Sequence, residues 1–180
     1  MSLKNADQMF ALATLATLVW LVGTAPSGAQ EFQQLAQTCD ARVATSSANR
    51  IAACTTLIDS RSLTPHDEAL GRMHRAWPQS LSGRLDLALA DLNAAVELDP
   101  KSAVIWSDRG FTRLRLGQMR EAIVDYTSAL QLNPRTVYAL YGRGLARLRL
   151  GDAGGSADLD AARGLQAGVD GVFAALGLRP

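Results

Sequence analysis

The hydrophobic and small positions of the chain recur with a period of 34 residues. Residues 109–117 read RGFTRLRLG and return as RGLARLRLG at residues 143–151, with seven of nine positions identical. The pattern of residues 88–100 returns in the same way at residues 122–134. A fixed period of this length predicts a stack of repeated helical or mixed units rather than a single irregular core.

Each unit has the spacing of two amphipathic helices joined by a short turn. In the middle unit, apolar and small side chains share one helical face as far as Gly117, a residue that favours a helix end. The face of the second helix is formed by Ala122, Ile123, Tyr126, Ala129 and Leu130. This helix is expected to stop at Pro134, because proline cannot continue it. Small residues such as Gly110 allow two antiparallel helices to approach closely.

The middle unit resembles the tetratricopeptide repeat, whose consensus places tryptophan, glycine, alanine, tyrosine, alanine and proline at matching spacings. The residues that carry the resemblance are Trp106, Gly110, Ala122, Tyr126, Ala129 and Pro134. The resemblance implies an all-α fold, a right-handed α-solenoid of about three helix pairs. The domain is expected to span residues 63–180, with repeats at about 67–100, 101–134 and 135–168.

Two of the repeats depart from this pattern. In the first repeat, Pro78 is expected to kink or split the first helix, at a cost of about 3 kcal/mol. In the third repeat, Gly154 and Gly155 are expected to weaken the start of the second helix, as terminal repeats often drift. Residues 169–177 predict a short capping helix, with Phe173 closing the exposed end of the stack.

Residues 30–62 predict a further pair of helices ahead of the repeats. The pattern places these helices at residues 31–45 and 48–60. Residues 49–58 resemble the leader often found before such repeats in small exported bacterial proteins. Thr64 is expected to cap the helix that follows.

The first 29 residues have the features of a secretory signal peptide. Residues 9–22 form an uncharged apolar run, shorter than the ~20 residues that a membrane-spanning helix needs. Small residues at Ser27 and Ala29 predict cleavage before Gln30, which would leave an exported chain, periplasmic or secreted. The alternative is an uncleaved anchor, and the chain is expected to meet a membrane only in that way.

Export changes the interpretation of the two cysteines. Cys39 and Cys54 lie 15 residues apart, and disulfides persist outside the cytoplasm, so we expect a bridge between two neighbouring helices. His66 and His74 could join them in a metal site or in a Cys–His catalytic pair. The spacing is far from that of a zinc site, and nothing nearby supports a catalytic pair, so the disulfide is favoured.

Composition and missing motifs narrow the function further. With 18 Lys and Arg against 17 Asp and Glu, the net charge is +1, which removes the electrostatic argument for a dedicated nucleic-acid binder. The sequence contains no phosphate-binding loop, no HExxH, no CxxC and no GxSxG. No residue is therefore assigned as catalytic, cofactor-binding or metal-binding, and we predict that the protein is not an enzyme.

Arginines and aspartates recur with the repeat. They are Arg75, Arg109 and Arg143 on the first helices, with Asp91 and Asp125 on the second helices. Because both charges repeat together, internal ion pairs within each repeat are the favoured interpretation. Arg115 and Arg149 have no matching acid and could instead present a guanidinium pair to an anionic ligand.

The family resemblance also implies a concave groove lined by the first helix of each repeat. The candidate partner contacts in this groove are Met73, Trp77, Ser107, Phe111, Arg115, Tyr138, Tyr141 and Arg149. The set is apolar and aromatic with two basic points, and it lacks the Lys/Asn clamp of relatives that bind chaperones. The alternative is that the N-terminal helix pair covers this surface, because an exposed apolar patch of that size is usually either used or covered.

The resemblance therefore implies a non-enzymatic protein-interaction module of the bacterial envelope, with a protein or peptide partner and no cofactor. A second interpretation is a structural envelope protein that binds an anionic polymer through a stripe of arginines. Groove binding should survive moderate salt, whereas polymer binding should weaken steeply.

Overall fold

Nine α-helices and no β-strand occur in the part of the chain that the computed structural model describes, residues 28–40 and 44–180. The helices are α1 (Gly28–Cys39), α2 (Ser47–Asp59), α3 (Pro65–Leu81), α4 (Leu85–Leu98), α5 (Ala103–Arg115), α6 (Met119–Leu132), α7 (Val137–Arg149), α8 (Gly155–Leu165) and α9 (Val169–Ala175). Residues 32–180 form one unit, and residues 28–31 of the preceding unit begin α1. The apolar run of the predicted signal peptide lies outside the described residues.

Three helix pairs form the body of the fold, which confirms the prediction of an all-α solenoid. Helix α3 packs against α4, α5 against α6 and α7 against α8, and successive pairs meet through α4–α5 and α6–α7. The first helices also touch one another, α3 with α5 and α5 with α7, and their shared surface is here called the inner face. Within the pairs the chain turns at Gly83, Gly117 and Gly151, whose φ values of 78°, 76° and 79° favour glycine.

Small residues let the two helices of a pair approach closely, as predicted. Gly110 of α5 faces the ring of Tyr126 on α6, where an added Cβ would lie 2.9 Å from the ring carbons Cδ1 and Cε1. Tyr126 is fully buried, and so are Ala122 and Ala129, one turn before and one turn after it on α6. The tyrosine ring therefore fills the space that the glycine leaves.

A partly buried Arg–Asp ion pair joins the two helices of every repeat. The nitrogen–oxygen distances are 2.6 Å for Arg75–Asp91, 2.8 Å for Arg109–Asp125 and 2.7 Å for Arg143–Asp158. The first two pairs confirm the prediction of internal ion pairs. The partner of Arg143 was not predicted, because Asp158 lies one residue short of the 34-residue period.

The predicted disulfide links α1 to α2. The Cα atoms of Cys39 and Cys54 are 4.8 Å apart, within the usual range for a bridge. Helix α1 ends at Cys39, although the sequence predicted helix as far as residue 45. The Arg50 guanidinium donates a hydrogen bond of 2.9 Å to the Cys39 carbonyl and so satisfies this early helix end.

Helix α2 packs on α3 in the way that the second helix of a repeat packs on the next repeat. The Arg75 guanidinium donates to Thr55 of α2 at 3.0 Å. One repeat later, Arg109 donates in the same manner to Asn93 of α4 at 3.2 Å. Helix α2 therefore extends the stack on its N-terminal side.

Helix α3 is capped as predicted but is not split. Thr64 Oγ1 accepts the backbone N–H of Asp67 at 3.1 Å. The expectation of a split at Pro78 is wrong, because the helix continues to Leu81 and the N–H of Ser82 still bonds the Pro78 carbonyl at 3.1 Å. The φ that the proline ring fixes is a helical value, so the helix continues through Pro78 with the loss of the one hydrogen bond that the missing N–H would donate.

The start of α8 is weakened as expected, because the helix begins at Gly155, whereas the start of α6 at Met119 and the 34-residue period place it at residue 153. Gly155 lies against α7, where an added Cβ would be 2.8 Å from Leu148 Cγ. An added Cβ on Gly144 of α7 would in turn lie 2.8 Å from the Gly155 carbonyl oxygen. Gly155 therefore permits a close helix contact, and this use outweighs its poor helix propensity.

Helix α9 forms as predicted, but Phe173 does not close the end of the stack. The Phe173 ring packs on the inner face, with its centroid 4.4 Å from that of Tyr141 and 6.3 Å from that of Phe111. Phe173 is buried there against α5 and α7. The predicted groove is consequently shared with the protein's own C-terminal helix.

Candidate partner-binding groove

A cavity of about 420 Å³ lies on the inner face between α3, α5, α7 and α9. Its lining residues are Trp77, Ser107, Asp108, Phe111, Tyr126, Tyr138, Val172, Phe173, Ala175 and Leu176. Most of these side chains are aromatic or aliphatic, with few polar groups among them. A concave apolar site of this size with a few polar groups is typical of a binding site.

Four aromatic rings form a continuous row along the cavity. The ring centroids are separated by 5.5 Å for Trp77–Phe111, 6.3 Å for Phe111–Phe173 and 6.1 Å for Tyr138–Phe173. All three distances are in the range of favourable aromatic contacts. Phe111 and Phe173 are buried, whereas Trp77 is half-buried and Tyr138 is 47% exposed. The row is therefore fixed at its centre and accessible at its ends.

Asp108 is the one charged side chain among the described residues that line the cavity. It lies one turn before Phe111 on α5, and its carboxyl group has no ion pair or side-chain hydrogen bond within the described part of the chain. Burial raises the pKa of Asp108 from 3.8 to about 7. Near neutral pH the cavity consequently contains a carboxylate without a counter-ion for much of the time.

The hydroxyl group of Tyr126 is a second unsatisfied polar group beside this cavity. It is buried and has no hydrogen-bond partner among the described residues. Burial, followed by the negative charges of Asp108 and Asp125, raises the pKa of Tyr126 well above 10.0. Gly142 of α7 makes room for this end of the ring, because an added Cβ there would collide with the hydroxyl. Buried polar groups normally have partners, so this hydroxyl group is an exception among the described residues.

Helix α9 is held on the inner face by a small polar network. Tyr141 donates a hydrogen bond of 2.8 Å to Asp170, which also pairs with Arg163 at 2.8 Å. The Arg163 guanidinium, and after it the Tyr141 hydroxyl, lower the pKa of Asp170 to about 2. Asp170 therefore stays ionised at neutral pH and keeps α9 beside Tyr141.

Residues 112–151, from the end of α5 through α7, match the family model described as TPR repeat. The chain contains tetratricopeptide repeats. A comparison with curated proteins finds no match to the sequence.

Solved structures share the tetratricopeptide-repeat fold of this chain. A MamA structure has 16% identity and a TM-score of 0.63, with 83% of this chain and 82% of that chain covered. MamA from Desulfovibrio magneticus RS-1 has 15% identity and a TM-score of 0.62, with 74% and 72% covered. A mutant O-GlcNAc transferase from Thermobaculum terrenum has 22% identity and a TM-score of 0.59, and the match covers 68% of this chain but 23% of the transferase. At these identities the likeness shows the fold alone.

The tetratricopeptide repeats bring four of the predicted contacts to the cavity, namely Trp77, Ser107, Phe111 and Tyr138. Met73 lies in a smaller cleft next to it, between α3, α4 and α5. The prediction for Tyr141 needs correction, because this side chain is 1% exposed under α9 and does not line the cavity. Its partner is the protein's own Asp170.

Arg115 and Arg149 are both engaged with the protein's own backbone. Arg115 donates to the carbonyl of Ser80 and, at 3.1 Å, to its hydroxyl, while its guanidinium lies 5.9 Å from the ring of Phe111. Arg149 is exposed and donates to the carbonyl of Arg179 at 3.3 Å. The two arginines thus have separate local partners instead of facing a common ligand.

The expected cover of the groove comes from the C-terminal helix and not from the N-terminal pair. The side chains around Trp77 belong to α3, α5, α6, α7 and α9. Helices α1 and α2 line a different cavity of about 450 Å³ at the start of α3, with Phe32, Leu57, Leu70 and His74 among its residues. The alternative that the leader covers the aromatic row is therefore wrong.

Asp108 and Tyr126 line the cavity but were not predicted as groove residues. A usable signal was the break in periodicity at Asp108, since the positions one repeat away are His74 and Gly142. A charge that appears in only one repeat is not needed by the shared packing and points to a local role. No comparable signal showed that Val172 and its neighbours on α9 would turn towards α5 and α7.

Metal ligands and membrane-spanning helices can be described for residues 28–40 and 44–180, whereas the anchor alternative concerns residues 9–22, which lie outside them. No group of three side chains there has the arrangement of a metal site. Both cysteines are bridged, and the exposed His66 pairs with Asp99 at 2.9 Å. No helix of this region is both long and apolar enough to cross a bilayer.

Proposed function

We propose that the protein is a non-enzymatic interaction module that captures a protein or peptide partner on its inner face. The observation that carries the proposal is the aromatic row, which stays accessible at Trp77 and Tyr138 after α9 has covered the rest of the groove. Tetratricopeptide repeats typically mediate protein–protein interaction. Aromatic side chains in a partly enclosed pocket are frequent energetic anchors of such contacts.

The proposed partner lies in the bacterial envelope or outside the cell. An apolar run at residues 9–22 supports export, and the Cys39–Cys54 bridge is of the kind that persists in an oxidising compartment. Fractionation of cells followed by N-terminal sequencing should find a periplasmic or secreted chain that begins at Gln30. A cytoplasmic chain with two free thiols would contradict this location.

Binding of an anionic polymer through an arginine stripe has weaker support. The three arginines that recur with the repeat, Arg75, Arg109 and Arg143, each form an ion pair of 2.6–2.8 Å with a partly or fully buried aspartate. Breaking such a pair would leave a charge in a poorly solvated position. The arginines are therefore better explained as structural groups of the repeats.

Two exposed side chains, one on a first helix of a repeat and one on a second helix, provide the experimental test. Tyr138 is 47% exposed at the inner face, and Val124 is 61% exposed on α6, a second helix of its repeat. Tyr138→Ala should reduce partner capture from an envelope extract by about tenfold or more, because an aromatic anchor is worth ~2 kcal/mol. Val124→Ala should leave capture unchanged. Equal capture by the parent and both variants would refute the proposed surface.

A further inference from the structure

We infer that the cavity beside Asp108 binds the ammonium group of a lysine side chain supplied by the partner. This inference rests on the proposed function for the source of the lysine, but the ammonium site itself follows from the cavity. Three properties of the cavity support this inference, namely a negative charge, aromatic walls and a buried hydroxyl group.

The first property of the cavity is the charge of Asp108. This carboxyl group lies in an apolar cavity and has no cation beside it in the described part of the chain. In contrast, Asp91, Asp125 and Asp158, the buried aspartates among the described residues, all receive arginine nitrogens, whereas the half-buried Asp108 receives none. A carboxylate that faces an apolar cavity without a counter-ion is poorly stabilised there, and a cation from outside would neutralise it. A positively charged ligand is therefore the chemistry that complements this position.

The second property is the aromatic character of the walls of the same cavity. The rings of Trp77, Phe111, Tyr138 and Phe173 surround the space into which the ligand would enter. Aromatic faces attract ammonium groups, and tryptophan does so most strongly. The same walls provide an apolar surface for the aliphatic stem of a lysine, whose charged end reaches the carboxylate. A long alkyl chain that ends in a cation fits both properties.

The third property is the presence of the buried hydroxyl group of Tyr126. Its oxygen can accept a hydrogen bond, and an ammonium group has three N–H donors to share between this oxygen and the Asp108 carboxylate. Tyr126 is fully buried and lacks another partner among the described residues. An apolar ligand would leave both groups unsatisfied, and an anionic ligand would be repelled by the carboxylate. A lysine ammonium group can donate to both oxygens, and its straight alkyl stem matches the apolar walls.

The test uses two probes that differ only in the cation. They are Nα-acetyl-lysine methylamide and Nα-acetyl-norleucine methylamide, titrated into the purified protein and followed by NMR chemical shifts of residues around the cavity. The lysine probe should bind about tenfold more tightly than the norleucine probe, a difference expected of a desolvated cation–aromatic and ion-pair contact. Equal affinities, or no binding of the lysine probe, would overturn the inference.

Variants identify the groups responsible. Asp108→Asn keeps the size of the side chain and should abolish the preference for lysine, while the affinity for norleucine stays the same. Phe111→Leu keeps an apolar wall and should weaken lysine binding more than norleucine binding, because it removes only the aromatic face. Thermal unfolding of each variant controls for the fold. A lysine preference that persists in a folded Asp108→Asn variant would also overturn the inference.

The proposed function and this inference can fail separately. If Tyr138→Ala abolishes partner capture but the lysine and norleucine probes bind equally, the groove captures a partner and the ammonium site is refuted. If the lysine probe binds with the expected preference but no variant of the inner face alters capture, the ammonium site stands and the proposed capture surface is refuted.

Discussion

Gly110 provides a sharp stability test of the repeat packing, and Gly164 provides a matched control. An added Cβ at Gly110 would lie 2.9 Å from two ring carbons of the buried Tyr126. An added Cβ at Gly164 of α8 would meet no atom within 4 Å. Gly110→Leu and Gly164→Leu therefore make the same chemical change in a closed and in an open helical position.

The expected magnitudes follow from two opposing effects. Replacing a helical glycine by leucine improves helix propensity by up to ~1 kcal/mol at either position. At Gly110 the larger side chain overpacks a contact that cannot relax easily, because the far end of the Tyr126 ring already lies against Gly142. We expect Gly110→Leu to lower the free energy of unfolding by roughly 1–3 kcal/mol. Gly164→Leu should leave it unchanged or raise it by up to ~1 kcal/mol.

Urea and thermal unfolding followed by circular dichroism measure both variants. Adding Tyr126→Leu to the Gly110→Leu variant should cost less than Tyr126→Leu costs in the parent, because the two residues share one contact. Identical unfolding midpoints for the two glycine variants, together with additive effects in the double variant, would refute the close approach of α5 and α6.

Three further predictions concern charges and the disulfide. Asp125→Ala should lower the free energy of unfolding in urea by about 3–5 kcal/mol, because it leaves Arg109 and Arg113 without their buried partner. As a control, replacement of the exposed Asp160 by alanine should change this free energy by less than ~0.5 kcal/mol. The pKa of Asp108 is about 7 in the folded protein, against an ordinary value of 3.8. Between these two pH values the folded state binds more protons than the unfolded state, so the stability should fall as the pH rises through this window. The loss should be at most about 4 kcal/mol, since the side chain keeps some exposure, and a pH series of urea titrations should show that Asp108→Asn removes it. Reduction of the Cys39–Cys54 bridge should cost about 3 kcal/mol, and mass spectrometry of non-reduced peptides from the exported protein should show the linked pair.

The repeat fold could be predicted from the sequence because its packing is local and periodic. Gly110 and Tyr126 meet across a short turn, and Arg109 meets Asp125 by the same route. Each contact therefore corresponds to a pair of residues at a fixed sequence separation, and the next repeat has a similar pair at a similar separation. Where the spacing changed by one residue, at Asp158, the pair was missed although the interaction is the same.

The shape of the groove could not be predicted because it depends on contacts that do not repeat. The direction of α9 depends on contacts that occur once, namely the burial of Phe173 on the inner face and the network in which Asp170 joins Tyr141 to Arg163. At Pro78 a local rule also gave the wrong result, because the helix continues to Leu81 through a residue that tends to break helices. The pocket around Asp108 likewise arises from one charge in one repeat, and only the assembled inner face reveals that it lacks a partner.

Photo-crosslinking in living cells tests the central claim, partner capture on the inner face, most directly. A photoreactive phenylalanine analogue, which keeps an aromatic ring, would replace Tyr138 on the inner face in one strain and Val124 on α6 in another. The two positions have comparable exposure, at 47% and 61%. We expect irradiation to give a discrete adduct with a partner protein from position 138 and none from position 124. An adduct from position 124 alone, or the same adducts from both positions, would contradict the assignment of the inner face as the binding surface.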